Sequence, residues 1–299
     1  MVCKDKKSIS CILQFLYTMF FFIFLSCQTA PKVQDMPEGI LPLSKGASVY
    51  VIANVKQARP IIELLPIKEL NSKQTRQMLE KTDYFTAAIF PQTNVRKMQI
   101  AANGNYSGLS GLAFTFNKNW KKQRSDSGGS YWYSAADGLS VAVNSNQAFA
   151  VSSAVPVDPV TSAGGITMPE GFYEFSRGYP VSCWLEDTDA LINRIFNEKE
   201  IPIQLTVQYV FINLYPTDSY DSQNNYEALI RLQFENALQS RGMAAIFNLA
   251  AGLMSNDDST LASVFFANPA VPNGRNLDIK TKRISEKDIT LLLETFLIY

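Results

Sequence analysis

The sequence contains no histidine. That excludes Ser-His-Asp and Cys-His catalysis, histidine-bearing zinc sites and histidine acid–base work. Cysteine is scarce as well: 4 in 299 residues, with Cys3, Cys11 and Cys27 near the start and Cys183 alone beyond them. An intramolecular disulfide framework is therefore unavailable to an exported form of the chain. Neither charge sign is in excess, since 27 Lys plus Arg stand against 27 Asp plus Glu. This balance offers no electrostatic footprint for nucleic acid. The apolar stretch from Cys11 to Leu25 is short of the roughly 20 residues a membrane span needs. What is present suffices for a packed core, because 46% of residues are hydrophobic and 18% charged.

The N-terminus has the layout of a signal peptide. Lys4, Lys6 and Lys7 precede the apolar stretch, which includes Phe20, Phe21, Phe22, Ile23 and Phe24. A single-pass anchor and an ordinary secretory peptide are the alternatives. The stretch ends in Phe24-Leu25-Ser26-Cys27, followed by Gln28-Thr29-Ala30-Pro31. A small residue directly before cysteine resembles a bacterial lipobox. The resemblance implies cleavage before Cys27 and a diacylglycerol on its thiol. Phe24 and Leu25 depart from the strict pattern, which prefers Leu and then Ala or Ser at those two places. Such loose boxes are similar to those of spirochaetal, treponemal-type lipoproteins.

Residues 1–26 are thus expected to be a signal peptide, and 27–45 a lipidated N-terminus with a flexible tether rich in Pro and Gly. Residues 46–299 read as an α+β domain, a mainly antiparallel sheet packed with amphipathic helices. Ala47 to Val55 is the first strand, β-branched and aromatic. A helix opening at Pro60 and a second from about Asn71 towards Lys81 follow. Strands are expected at Tyr84–Phe90 and Lys97–Ala102, a turn at Asn103–Asn105, and a helix over Leu109–Trp120. Tyr131–Tyr133, Leu139–Val143 and Ala148–Ser152 read as a meander turning at Asp137-Gly138 and at Asn144–Asn146.

A Pro-, Gly-, Ser- and Thr-rich linker at 156–171 separates the halves 46–155 and 172–299. In the second half come a strand Val181–Leu185, a helix Asp189–Asn197, and strands Ile203–Leu214 and Tyr226–Phe234. A helix Asn236–Met254, strands Leu261–Ala267 and Leu277–Lys282, and a last helix from Ser285 complete it. Both halves read strand, helix, two strands, helix, which suggests two similar halves.

Candidate sites are few. Gly242–Met254 is almost wholly apolar, with Asn248 its lone polar side chain. It is expected either to pack as a central helix or to wall a lipid cavity through Ile246, Leu249 and Leu253 together with Val264, Phe265 and Phe266. Trp120, Lys121 and Lys122, near Trp132, suit a headgroup region, or else simply mark a basic helix C-terminus. The last helix carries Ile289, Leu292, Leu293, Phe296 and Leu297 on one face, above an acidic polar side, which favours core packing. Cys183, in an apolar strand, reads as an inert thiol.

The glycine-rich segment at Asn103–Gly111 lacks a P-loop lysine and the G-x-G-x-x-G spacing. Around Ser110 the nucleophile-elbow pattern also fails, at Leu112. Asp218, Asp221 and Asn224 are spaced by three, unlike an EF-hand. A carboxylate-only enzyme would draw on Glu170, Glu174, Glu186 and Asp187, but nothing singles them out.

No catalytic residue, metal site or cofactor is expected. In overall character the body resembles treponemal outer-membrane lipoproteins, α+β domains whose amphipathic helices bind lipids and disturb bilayers. No diagnostic motif carries the likeness, so it assigns no residue. The leading expectation is a non-enzymatic, lipid-anchored envelope protein that binds a fatty acid, a phospholipid or the membrane itself. An anchored adaptor for another envelope protein is the alternative.

Overall fold

The computed structural model describes residues 40–62, 76, 79–91, 96–106, 114–115, 117–144, 146–186, 188, 207–217, 225–254, 268–285 and 289. Cys27, the signal segment, Val264, Phe265, Phe266, the side chain of Leu253, and the helix and strand expected at Asp189–Asn197 and Leu261–Ala267 lie outside them.

The described chain is dominated by one 13-stranded antiparallel sheet. In chain order its first half supplies β2 (Val49–Asn54), β3 (Thr82–Ile89), β4 (Arg96–Gly104), β5 (Trp120–Arg124), β6 (Ser130–Ser134), β7 (Leu139–Val143) and β8 (Gln147–Ser153). The second supplies β10 (Val181–Leu185), β11 (Tyr209–Pro216), β12 (Asn225–Gln233), β13 (Val271–Asn273), β14 (Asn276–Lys280) and β15 (Ile284–Ser285). The path runs β13-β14-β12-β11-β10-β2-β3-β4-β8-β7-β6-β5, with β15 on β12. The first strands of the two halves, β2 and β10, pair antiparallel from Val49↔Leu185 to Ala53↔Val181. The halves therefore share one sheet, and the order β12-β11-β10 mirrors β4-β3-β2.

Register fixes what each face carries, because side chains alternate along every strand. One face shows Trp184, Tyr50, Phe211 and Arg231 in adjacent strands. Phe172 sits edge-on at 4.7 Å to Trp184 and 5.3 Å to Phe211, and Tyr50 stacks on Trp184 at 4.7 Å. Phe172 belongs to a short helix, α2 (Phe172–Ser176), that sequence patterning misses. Gly171 leads into it at φ 81, a left-handed conformation suited to glycine. The buried amide of Asn213 accepts from Ser182 Oγ (2.6 Å) and donates to the Phe175 carbonyl (2.7 Å), fastening α2 to the sheet.

Two expectations are corrected here. The tether does not extend to residue 45, because Ile40–Leu41 form β1 and pair with β9, Ile166–Thr167, inside the supposed linker. Leu41 and Leu43 are fully buried beside Trp184 and Phe211. The segment is pinned where Gln99 Oε1 accepts from the Ser44 N–H (2.8 Å) and Tyr50 donates to the Ser44 carbonyl (3.0 Å). Nor does Leu109–Trp120 run as a helix to Trp120. Phe114 and Thr115 are helical, residues 118–119 turn, and Trp120 opens edge strand β5.

The opposite face carries Val181, Cys183, Leu185, Ile212 and Ile230. Over it lie α1 (Val55–Ile62) and α3 (Ala237–Met254), through Ala58 and Ile62 for α1 and through Met243, Ala244 and Phe247 for α3. Helix α1 starts five residues before Pro60, since the Asn54 side chain accepts from the Gln57 N–H (3.2 Å) and caps it. Asn236 caps α3 likewise, accepting from the N–H groups of Leu238 and Gln239 at 3.0 and 3.1 Å. Ile289 is 1% exposed and joins the same core; the rest of the last helix is outside the described residues.

Removing the Asn213 amide strands the Ser182 hydroxyl and the Phe175 carbonyl in a buried site. Asn213→Ala should lower unfolding free energy by about 2–3 kcal/mol in urea titration. A loss below about 0.5 kcal/mol would refute this role for the amide.

Candidate functional site

Helix α3 is the feature at odds with an ordinary soluble core. Its inner face, Ser240, Met243, Ala244 and Phe247, is buried where the helix packs on β13 and β14. Outward, Leu238 is 81% exposed, Leu249 68% and Ile246 36%. Gly242, Ala245 and Gly252 are exposed with them. Leu238, Gly242, Ala245, Leu249 and Gly252 follow one another by four, three, four and three residues, a single continuous stripe. Ile246 and Leu249, expected as cavity walls, are on the exposed side of the helix, and Val264, Phe265 and Phe266 lie outside the described residues. Ile246 and Leu249 lie on the flank of α3 turned away from Met243, Ala244 and Phe247.

Two polar side chains hold the helix there. Ser240 Oγ donates to the Gly274 carbonyl (2.7 Å) in the β13–β14 turn. The Asn248 amide brackets Ala270, accepting from its N–H at 2.7 Å and donating to its carbonyl at 3.2 Å. This explains the lone polar residue of the apolar run: it clasps the backbone that enters edge strand β13. Val271, the next residue, is 58% exposed and adds apolar surface beside the helix.

The aromatic and basic cluster sits at the other edge of the sheet. On β5, Trp120 and Lys122 share a face with Trp132, opposite Ser134 and Trp132 respectively, whereas Lys121 pairs with Tyr133 on the reverse face. Lys121, Lys122 and Arg124 are exposed and Trp120 is half-buried. Trp132 is only 8% exposed, tilted on Phe114 at 5.7 Å with its indole donating to Thr115 Oγ1 (3.2 Å). It is a support for this edge, buried beneath its neighbours. Phe114 meets Trp120 edge-on at 4.8 Å.

The remaining candidates are dispersed. Glu170 pairs with Arg275 at 2.9 Å on the surface, and Glu174 is exposed on α2. Burial raises the Glu186 carboxyl above its usual range, against the opposing pull of the Trp184 indole and Lys45. Asp187 lies outside the described residues. Among the described residues no group of three or more Cys, Asp or Glu could hold a metal ion. No described helix is long and apolar enough to cross a membrane.

The architecture has solved counterparts. The fold is that of TP0453, a Treponema pallidum protein. Crystal form I of TP0453 superposes with a TM-score of 0.57 at 16% identity, covering 85% of this chain and 95% of TP0453. Forms III and IV of TP0453 give TM-scores of 0.55 and 0.56 at 14% and 15% identity, each covering 96% of TP0453. No protein-family model matches this sequence, and no curated protein matches it either. At such identity TP0453 shares the fold, and residue roles are argued from this chain alone.

Cys183 is on β10, and burial pushes its thiol up to about 12 from an ordinary 9.0. At pH 8 its thiolate fraction falls about a thousandfold below that of an ordinary cysteine, so alkylation in the native state should be slower by about that factor. Because the folded state holds the proton more tightly, its contribution is unchanged below pH 9 and stability declines as pH rises from 9 towards 12. Iodoacetamide labelling in native buffer and in urea measures the ratio, and equal rates would contradict it.

Proposed function

We propose that this protein is a non-enzymatic, lipid-anchored component of a bacterial cell envelope that contacts a bilayer through the outward stripe of α3. The exposure of Leu238, Ile246 and Leu249 on a firmly fastened helix is the observation that carries the reading. A helix apolar on all sides is ordinarily buried on all sides, and here Leu238 and Leu249 stand exposed on one side. The lipobox-like segment ending at Cys27 supplies the anchor in this reading, and a fold shared with a treponemal protein accords with its spirochaetal look.

Magnitudes favour lipid over a protein partner. Burying each large apolar side chain is worth about 2 kcal/mol, so the three sustain a weak, reversible contact. The stripe from Leu238 to Gly252 is about 21 Å long at 1.5 Å per residue. With one helix width it offers far less than the roughly 800 Å² per partner of stable protein interfaces. A bilayer sets no such minimum. Acyl chains at Cys27 would keep the body near the surface, where a weak contact is engaged most of the time.

Two measurements test this. Labelled palmitate should enter the intact chain in a spirochaetal host and be lost on Cys27→Ala; equal labelling of the two would remove the anchor from the proposal. With Cys3, Cys11 and Cys27 changed to serine, a polarity-sensitive dye on Leu249→Cys should brighten and blue-shift when phosphatidylcholine vesicles are added. The same dye on Glu174→Cys, on the other face of the sheet, should not. An unresponsive dye at 249 on vesicle-bound protein would exclude α3 as the contact.

A further inference from the structure

Four cations of the described chain sit in ion pairs that tie strands and helices together. Lys56 meets Asp83 at 3.8 Å, Arg231 meets Asp278 at 2.6 Å, Arg275 meets Glu170 at 2.9 Å and Lys280 meets Glu227 at 2.7 Å. The stretch at β5 stands out by density, with four cations between Lys118 and Arg124. Lys118, Lys121, Lys122 and Arg124 are all exposed, and among the described residues none of the four forms an ion pair. Asp126 is the one acid among residues 117–134, and its backbone is turned to the Asp158 carboxylate through its N–H (3.2 Å).

The position strengthens the point. Among the described residues β5 ends the sheet, and no further strand pairs with its outer backbone groups. Lysines on an edge strand deter another strand from adding there. Protein partners that dock by strand addition are thereby disfavoured, whereas a diffuse negative surface is not. Half-buried Trp120 lies among the cations, braced by Phe114, and amphipathic indole rings favour the headgroup level of a bilayer. Following the register from Ile230 on β12, which shares a core with Met243 and Phe247 of α3, through Ile212, Cys183, Val51, Ala87, Ile100, Ala150, Val141 and Trp132 arrives at Lys122. Trp120, Lys122 and Arg124 thus share the sheet face that carries α3. Helix α3 itself contributes a single cation, Arg241, and no lysine.

We infer that β5 is an electrostatic docking strip for an anionic lipid surface, so that the membrane contact made by α3 is selective for anionic bilayers. The inference rests on the bilayer-contact reading of α3 and adds the chemistry of the lipid. Apolar insertion and charge recognition are divided between α3 and β5, which accounts for an exposed helix almost without cations. Each Lys or Arg near an anionic membrane contributes about fivefold in affinity, and the effect is screened by salt.

The test titrates vesicles into the intact chain carrying the dye at Leu249→Cys. Vesicles of phosphatidylcholine with about a third phosphatidylglycerol should half-saturate at a lipid concentration at least tenfold below pure phosphatidylcholine, and 0.5 M salt should erase the difference. The Lys121→Gln, Lys122→Gln, Arg124→Gln variant should lose the anionic preference while keeping its response to phosphatidylcholine. Lys121→Arg with Lys122→Arg should retain the preference and guards against a trivial folding defect. An unchanged preference in the glutamine variant overturns the inference and leaves the α3 contact standing. Self-association of that variant with the preference intact would also overturn it, marking the cations as edge guards alone. A dye silent towards both vesicle types would instead refute the α3 reading on which this rests.

Discussion

The pairing of β2 with β10 is the constraint on which the remaining architecture depends. Val49↔Leu185 through Ala53↔Val181 is the only seam in the strand order where the two halves of the described sheet meet. Its register decides which residues look to which side. With Tyr50 opposite Trp184, the aromatic cluster under α2 assembles on one face; with Val51 opposite Cys183, the aliphatic bed for α1 and α3 assembles on the other. A slip by one residue would present Trp184 to the aliphatic side and break both cores together. The Ser182–Asn213–Phe175 bonds add a directional check, because an amide that bridges two strands and a helix satisfies its partners in one register only.

Much of this was legible in the amino-acid order, and the failures have physical causes. Leu139–Val143 announces itself because a half-buried strand selects β-branched residues and its Asp137-Gly138 turn needs the positive φ of 58 that Gly138 adopts. The bounds of α3 follow from the Asn236 cap. β1 and β9 leave no signal because two-residue strands have no period to detect, and Pro and Gly around them argue for loop. β5 reads as a helix end for a different reason. An edge strand contacts a neighbour on one side only, so it need not alternate apolar and polar residues, and WKKQR has the look of a basic helix end.

The candidate site was legible in composition and illegible in orientation. Periodicity locates an apolar face only when a polar face contrasts with it, and Gly242–Met254 lacks that contrast. Nothing local distinguishes Phe247, packed on the sheet, from Leu249, open to solvent. The deciding contacts come from residues more than 20 positions away: Asn248 meets Ala270 and Ser240 meets Gly274. Those bonds fix the rotation of the helix about its axis, and the rotation selects which apolar residues are left outside.

That rotation has an energetic meaning. Ser240 and Asn248 bind backbone groups of the sheet's end, so turning α3 to hide Leu238 and Leu249 would break three hydrogen bonds and expose Met243 and Phe247 in exchange. At about 1 kcal/mol per bond, on top of the lost burial, the exposed stripe is the lesser cost. The polar clasps therefore do more than attach the helix. They hold a greasy surface outward against the tendency of an isolated chain to bury it. A surface held that way keeps its shape until something apolar arrives, and association then meets little reorganisation cost.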